Sequence, residues 1–395
     1  MNQDHFPTWL RISGVLARFL GFFCGTAACR EILVVLPGGF GDVLIASGAL
    51  SILRDFYVNH RITVVCEERC VDFVSRLGFA DRIFPLWGQV ESVSLLARVQ
   101  RILEGIRILV PKYKAVFHCL FSTVPVAHAF CRLARAQEKV WYCEDVTKIQ
   151  EEEAGIYTRL VIVDRDVHEI DKILTFLKYL GIPNLASRAN VYPKIRLTAE
   201  EEARAQNLTA EGSIAGNKSL LLAVCPGARF PEKDWGRTNF QNLFKQIGGY
   251  QATKIFLLGS NDEKEEFDKL VSCFANGEKN KNLTVVNLAG QLSLLESAAI
   301  IEACDICVGN DTFGLHMAIA MDTPSVVVLG GGDSMRWAPW GDPFRHLAAK
   351  ITTDCSGCGW QCKYSDFRCV NLVSVEQVVF MIHELAWKFC IGVNK

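Results

Sequence analysis

Short, nearly continuous apolar runs alternate with helix-length segments along this chain, and the alternation runs its course twice. From Glu31 the runs are ILVVL (32–36), RITVVC (61–66), RIFPL (82–86), AVFHCLF (115–121) and KVWYC (139–143), with helical segments near 43–56, after Cys70 and up to about 136. Strands with no polar alternation are apolar on both faces and need cover on both, which helices between parallel strands supply. The rhythm breaks between about 145 and 218. There an acidic cluster (Glu151 to Glu153), the helix-like HEIDKILTFLKYLGI (168–182) and a polar stretch rich in Glu, Asn and Ala follow one another. It restarts with LLLAVC (220–225), KIFLLG (254–259), LTVVNLAG (283–290), DICVG (305–309) and SVVVLG (325–330), separated by helical segments near 238–247, from about 262, and at 293–303 and 313–321.

Two successive Rossmann-like, doubly wound α/β domains are the simplest architecture, with ligands expected outside the carboxyl ends of the strands in a cleft between the halves. The expected division is an N-terminal amphipathic segment (1–30), a first domain (31–182), a linker region (183–218) and a second domain (219–395). A length of 395 residues leaves room for two cores of ordinary size. A hydrophobic share of 50% with 22% charged residues excludes disorder, and a net charge of -1 leaves no basic excess for nucleic acid.

Arg11 and Arg18 interrupt the early apolar region, so it does not read as a secretory signal. A cytoplasmic location follows, in which disulfides are disfavoured, and those of the sixteen cysteines that lie in strands, such as Cys66, Cys119 and Cys225, stay reduced and act as small hydrophobes. In the opening stretch Trp9, Ile12, Leu16, Leu20 and Phe23 recur at helical spacing, with Arg11 and Arg18 on the other side. The uncharged run 19–29 has 11 residues, and a bilayer needs about 20. The helix either packs on the protein or lies in the membrane interface, a peripheral association with the inner face of the cytoplasmic membrane.

Three loops at strand ends carry the candidate chemistry. After the first strand, Gly38, Gly39 and Gly41 lead through Asp42 into a helix; glycines there permit close approach of a ligand, and the spacing is not that of a dinucleotide fingerprint. Asp42 reads either as a helix N-cap or as a general base. In the second domain PGARFPEKDW (226–235) sets Arg229 and Lys233 where a diphosphate could be met, although loop cations are ordinarily just solvated. GNDTFGLH (309–316) puts Asn310, Asp311, Thr312, Gly314 and His316 at a helix start, where backbone N–H groups can hold phosphate oxygens; Asp311 and Thr312 alone could be caps.

Taken in order, GGFGDVL, PGARFPEKDW, NLAGQLSLLESAAII and VGNDTFGLHMAIAMDTPSVVVLGG resemble the signature segments of glycosyltransferase family 9, the bacterial heptosyltransferases, and the similarity spans roughly 31–375. HEIDKILTFLKYLGI looks like that family's inter-domain helix. The resemblance implies a GT-B fold, an acceptor held mainly by the first domain and a nucleotide-sugar donor held mainly by the second. It matches Asp42 to the general base, Lys233 to a lysine on the donor phosphate, and Asp311, with Thr312, Gly314 and His316 nearby, to the donor sugar and diphosphate. Phe313 makes this loop one residue longer than the family's usual Asp-Thr/Ser-Gly form. Glu263, with Asp262 next to it, resembles the carboxylate that binds the donor ribose; the plain reading is a helix cap.

The implied reaction is inverting transfer of a heptose or similar sugar from a nucleoside diphosphate, ADP-heptose by family, to a hydroxyl of a glycan or glycolipid such as lipopolysaccharide core, with no cofactor required. The alternatives are a nucleotide-sugar epimerase or hydrolase on the same fold, or a non-catalytic glycan-binding or assembly protein. Cys355, Cys358, Cys362 and Cys369 fall within 15 residues. They suit a structural tetrahedral Zn or Fe site, with packing thiols and disulfides as the other readings.

Overall fold

The computed structural model describes residues 8–22, 30–86, 94–119, 125–144, 149, 151–183, 185, 187–210, 219–275, 282–332 and 334–389. Parts of the expectations above, including Phe23, residues 120–121 and residues 211–218, lie outside the described residues.

The chain divides into two compact units, Met1–Ala186 and Ser187–Lys395. The first runs α1 (Thr8–Phe22), β1 (Glu31–Leu36), α2 (Phe40–Phe56), β2 (Arg61–Glu67), α3 (Val71–Ser75), β3 (Arg82–Leu86) and α4 (Leu95–Leu109). It continues with β4 (Lys112–His118), α5 (Pro125–Leu133), β5 (Arg135–Cys143), α6 (Glu151–Ala154), β6 (Arg159–Ile162) and α7 (Glu169–Tyr179). The second opens with α8 (Ala199–Ala210), β7 (Leu220–Cys225), α9 (Arg237–Tyr250), β8 (Thr253–Leu257), α10 (Lys264–Ala275), β9 (Leu283–Asn287) and α11 (Leu294–Ala303). It closes with β10 (Ile306–Asn310), α12 (Phe313–Ala320), β11 (Ser325–Val328), α13 (Ser334–Trp337), β12 (His346–Ala349), α14 (Arg368–Asn371) and α15 (Val375–Lys388).

The sheets are parallel and six-stranded, in the orders β3-β2-β1-β4-β5-β6 and β12-β11-β10-β7-β8-β9. Counted from its own first strand, each has the order 3-2-1-4-5-6, which reverses between β1 and β4 in one unit and between β7 and β10 in the other. Those reversals are where a doubly wound sheet opens a ligand crevice at its carboxyl edge. The two-unit α/β fold is thus the one the apolar alternation demands. β1 is buried from Ile32 to Leu36 and β8 along its whole length, as expected of strands covered on both faces.

Two edge strands and one helix go beyond the sequence pattern. β6 and β12 have four residues each and are only partly buried, unlike the equally short but fully buried β11. The polar stretch between the repeats holds α8, whose only buried residue is Ala205. It lies along α11 with Arg204 bonded to Glu296 at 2.5 Å.

α1 packs on α4: Trp9 and Leu10 are buried, and the Ser13 hydroxyl donates to the Ile102 carbonyl at 3.0 Å. Gly105 makes the approach feasible, because a Cβ there would meet the Ser13 side chain. The outward face leaves Ile12, Val15, Leu16 and Leu20 exposed. Among the described residues no helix is long and apolar enough to cross a membrane.

Candidate active site

In the first unit the loop after β1 turns into α2 at Gly39, which is the N-cap; Asp42 is the third helical residue. Its Oδ2 accepts the Gly39 N–H at 3.0 Å. The N-cap reading of Asp42 is therefore displaced by one turn: the side chain reaches back to cap the helix from inside, satisfying a donor that no side chain at Gly39 could. Burial pushes the Asp42 carboxyl above its ordinary value; the Gly39 N–H works against this, and Glu67 adds to it. Arg69, ion-paired with Glu67 at 2.7 Å and lying over the Phe40 ring, borders the same loop. Its nearest guanidinium nitrogen would stand 3.4 Å from a Cβ on Gly39. Of the three glycines, Gly38 is buried and donates to the Leu36 carbonyl at 3.1 Å.

In the second unit a cavity of about 470 Å³ opens where β7, β8 and β10 end, walled by Gly227, Arg229, Ser260, Glu263, Thr312, Phe313, Gly314 and Met317 among others. Four of the sequence candidates, Arg229, Glu263, Thr312 and Gly314, thus converge on one space from three loops. Thr312 is the N-cap of α12, and its side chain makes no capping bond. The first N–H groups of α12 stand at the cavity, where a helix end favours an anion. Glu263 caps its helix and faces the cavity. Oε2 accepts from the Ser260 N–H (2.7 Å) and hydroxyl (2.8 Å) in a capping box, and the residue also walls the cavity.

Lys233, Asp311, Asn310 and His316 do not wall that cavity. Lys233 donates to Asp311 Oδ2 at 2.7 Å and to the Asp311 carbonyl at 3.4 Å. Asp311 is 2% exposed and Oδ1 has no hydrogen-bond partner among the described residues. Burial pushes the Asp311 carboxyl up, and Lys233 pulls it back. Asn310 is fully buried, with Nδ2 donating to the Pro226 carbonyl (2.7 Å) and Oδ1 accepting the Trp235 N–H (3.2 Å). It ties the β10 loop to the β7 loop. His316 is buried on α12 against Trp340, ring centroids 5.3 Å apart.

The expected metal centre is not assembled. Among the described residues no group of three or more His, Cys, Asp or Glu could hold an ion, and all four cysteines are free thiols. Their segment is organised by other contacts. Cys369 is packed into the core of the second unit, Cys355 Sγ lies 3.4 Å from the Thr353 hydroxyl, and burial followed by Cys358 pushes the Cys362 thiol up to about 11.

Sequence reasoning passed over Arg69, Met317 and Trp360, and took Phe313 only as lengthening its loop. Trp360 lies inside the cysteine-rich segment, with its ring centroid 4.6 Å from Lys233 Nζ. Nothing periodic marks these positions; a run of glycines at 330–332 was the one available sign that another segment approaches closely.

Comparison with known proteins gives a consistent result. The model of "Glycosyltransferase family 9 (heptosyltransferase)" matches residues 156–358. Lipopolysaccharide heptosyltransferase 2 of Salmonella typhimurium is 23% identical over 340 residues, covering 81% of this chain and 87% of that protein. Among solved structures, the family 9 glycosyl transferase of Veillonella parvula superposes with a TM-score of 0.74 at 17% identity, over 92% of this chain and 99% of that one. The ADP-heptose LPS heptosyltransferase II of E. coli does so at 0.68 and 19%, over 91% and 99%.

Proposed function

We propose, from the premise that this chain belongs to glycosyltransferase family 9 and is a glycosyltransferase, that it transfers heptose from ADP-heptose to a hydroxyl of a lipopolysaccharide-type glycan with inversion at the anomeric carbon. The observation that carries the reading is the convergence of Arg229, Glu263, Thr312 and Gly314 on one cavity at the strand-order reversal of the second unit. That cavity suits a nucleotide: a carboxylate for ribose hydroxyls, a helix N-terminus and a guanidinium for the diphosphate. Lys233, held by Asp311 one residue before the Thr312 cap, adds an ammonium beside the leaving group, where charge builds in the transition state. Asp42 takes the proton of the acceptor hydroxyl as that oxygen attacks the carbon and the C–O bond to the diphosphate breaks. Its carboxyl, raised by burial, is a better base than a solvated one and is ionised above its shifted pKa.

Incubating the protein with ADP-heptose, with and without a heptose-accepting lipopolysaccharide core, tests this. Release of ADP is expected only with the acceptor. Equal consumption of donor without acceptor would instead identify an epimerase or hydrolase, and no stabilisation of the protein by ADP would remove the nucleotide site. An acceptor anchored in lipid also gives a use for the exposed Ile12, Val15, Leu16 and Leu20 on α1. That helix carries Arg11 and Arg18 and no acidic residue in its first turn, and we assign it to peripheral contact with an anionic bilayer. Vesicles of anionic lipid should pull the protein down in a centrifuge, and Val15→Glu with Leu16→Glu should release it; retention of that variant would sink the assignment.

A further inference from the structure

The cysteine-rich segment reaches Lys233 by way of the loop that follows β11. Backbone bonds from Gly357 N–H to the Gly331 carbonyl (2.7 Å) and from Gly359 N–H to the Gly332 carbonyl (3.4 Å) fasten it to the loop that follows β11. Trp360 then takes a left-handed backbone, φ 66°, a conformation that costs a non-glycine residue free energy and persists where the surroundings enforce it. The result is an indole set over Lys233, its centroid 4.6 Å from Nζ. The ring is seated on Gly332: a Cβ there would lie 2.5 Å from ring atoms Cδ2 and Cε3.

We infer that Trp360 is a positioning residue for Lys233, so that the cysteine-rich segment completes the donor-phosphate site. The ammonium is held by three groups: the Asp311 carboxylate, the Asp311 carbonyl and the Trp360 ring. A second carboxylate would fix the lysine equally well and cancel the charge that must meet the diphosphate. An aromatic face attracts a cation through its quadrupole while contributing no net charge. Trp360 therefore orients the ammonium and leaves it positive. It also covers one side of the ammonium, and a cation shielded from water interacts more strongly with a phosphate.

This inference rests on the reading of Lys233 as a diphosphate ligand, and the experiment separates the two. Calorimetric titration with ADP, on the full chain, compares the parent with Lys233→Ala, Trp360→Leu, Trp360→Phe and Gly332→Ala. The expected result is a loss of affinity on the order of tenfold for Trp360→Leu, from the size of a partly desolvated cation–π contact. Trp360→Phe should retain most of the affinity. Gly332→Ala, which touches neither partner chemically but displaces the ring, should reproduce the Trp360→Leu loss. In the Lys233→Ala background Trp360→Leu should cost nothing further. In turnover the Trp360→Leu defect should appear in the donor KM more than in kcat. If Lys233→Ala binds ADP as the parent does, the reading of Lys233 fails. If Lys233→Ala weakens binding while Trp360→Leu does not, or if Trp360→Phe is as poor as Trp360→Leu, the inference about Trp360 fails by itself. Far-ultraviolet circular dichroism of each variant, matched to the parent, keeps a folding defect from imitating either outcome.

Discussion

Each unit places an aspartate just past the end of a strand that borders its point of strand-order reversal, and the two are held in opposite ways. Asp42 follows β1, is half-buried, and its carboxylate is engaged by backbone N–H groups, chiefly that of Gly39. Asp311 follows β10, is nearly inaccessible, and is closed by the ammonium of Lys233. Burial raises both carboxyls, but in the first the main opposing influence is a neutral dipole and in the second a full positive charge. The difference separates two roles open to a carboxylate at a strand end. Held by a dipole, it keeps lone pairs available to accept a proton; held by a cation, it is a fixture that aims the cation.

The sharpest way to break this contrast is in turnover. Asp42→Asn should lower kcat by about two to four orders of magnitude, the scale of a lost general base, while ADP binds with unchanged affinity. A variant that still turns over normally would make Asp42 only a helix cap. Because the folded pKa of Asp42 is raised above the ordinary aspartate value, the parent's kcat should decline as pH is lowered, with a midpoint above that ordinary value, and Asp42→Asn should lose this acid limb.

Stability reverses the ranking. Removing Lys233 strands Asp311 in a dry setting, so Lys233→Ala should cost on the order of 3 kcal/mol, read as a shift in the urea midpoint. Asp42→Ala gives up one helix-capping bond and should cost about 1 kcal/mol. Equal losses would show that Asp311 is not fixed by its lysine in solution.

A third contrast lies in the buried histidines. His346, bonded to Ser325, has its pKa lowered to about 4 by burial, with Arg345 adding to this. In the first unit His118 and His128 share the Tyr157 hydroxyl at 2.7 and 2.8 Å, and burial lowers both. A histidine whose folded pKa lies below its unfolded value of about 6.5 binds fewer protons in the folded state. Its penalty is absent above pH 6.5, grows as pH falls and levels off below the folded pKa. For His346 the window is therefore pH 6.5 to about 4, and His346→Asn should remove up to about 3 kcal/mol of the stability lost across it. Thermal melts of that variant with a pH dependence unchanged from the parent would contradict the burial argument.

What could be read from residues alone follows the physics of each feature. The two sheets announce themselves because strands such as LLLAVC must be apolar on both faces. β6 and β12 do not, because short edge strands are only half covered. Arg229, Glu263, Thr312 and Gly314 could be picked out as residues that wall a cavity because loops at strand ends are where such folds open one. The bonds of Asn310 could not be read: its side chain is engaged by the Pro226 carbonyl and the Trp235 N–H, partners more than seventy residues away in the chain. Trp360 was invisible for the same reason. Its partner is more than a hundred residues distant, and only folding brings Gly332, Trp360 and Lys233 together.

The smallest effect distinguishes the two glycine loops. Gly39 has φ -71°, which any residue adopts, and a Cβ there would meet Arg69 at 3.4 Å and Asp42 at 3.7 Å, ordinary contacts. Gly39→Ala loses a little as an N-cap and recovers a similar amount by restricting the unfolded chain, so its net effect should stay within about 0.5 kcal/mol. A Cβ on Gly314 would land on Cys225, inside contact distance of its Sγ and 2.9 Å from its Cβ. Gly314→Ala should therefore cost about 1–3 kcal/mol as overpacking, and Cys225→Ala in the same chain should restore the part due to Sγ, since the Cβ of residue 225 stays. Urea midpoints of the four chains decide the matter. If Gly39→Ala is the more damaging, or Cys225→Ala gives no relief, then Gly314 is required by something other than the close passage of α12 over the end of β7. The loop around Asp42 can take a side chain because its helix cap comes from within α2. The loop around Asp311 cannot, because there two strand ends and a helix start are pressed together to wall the cavity.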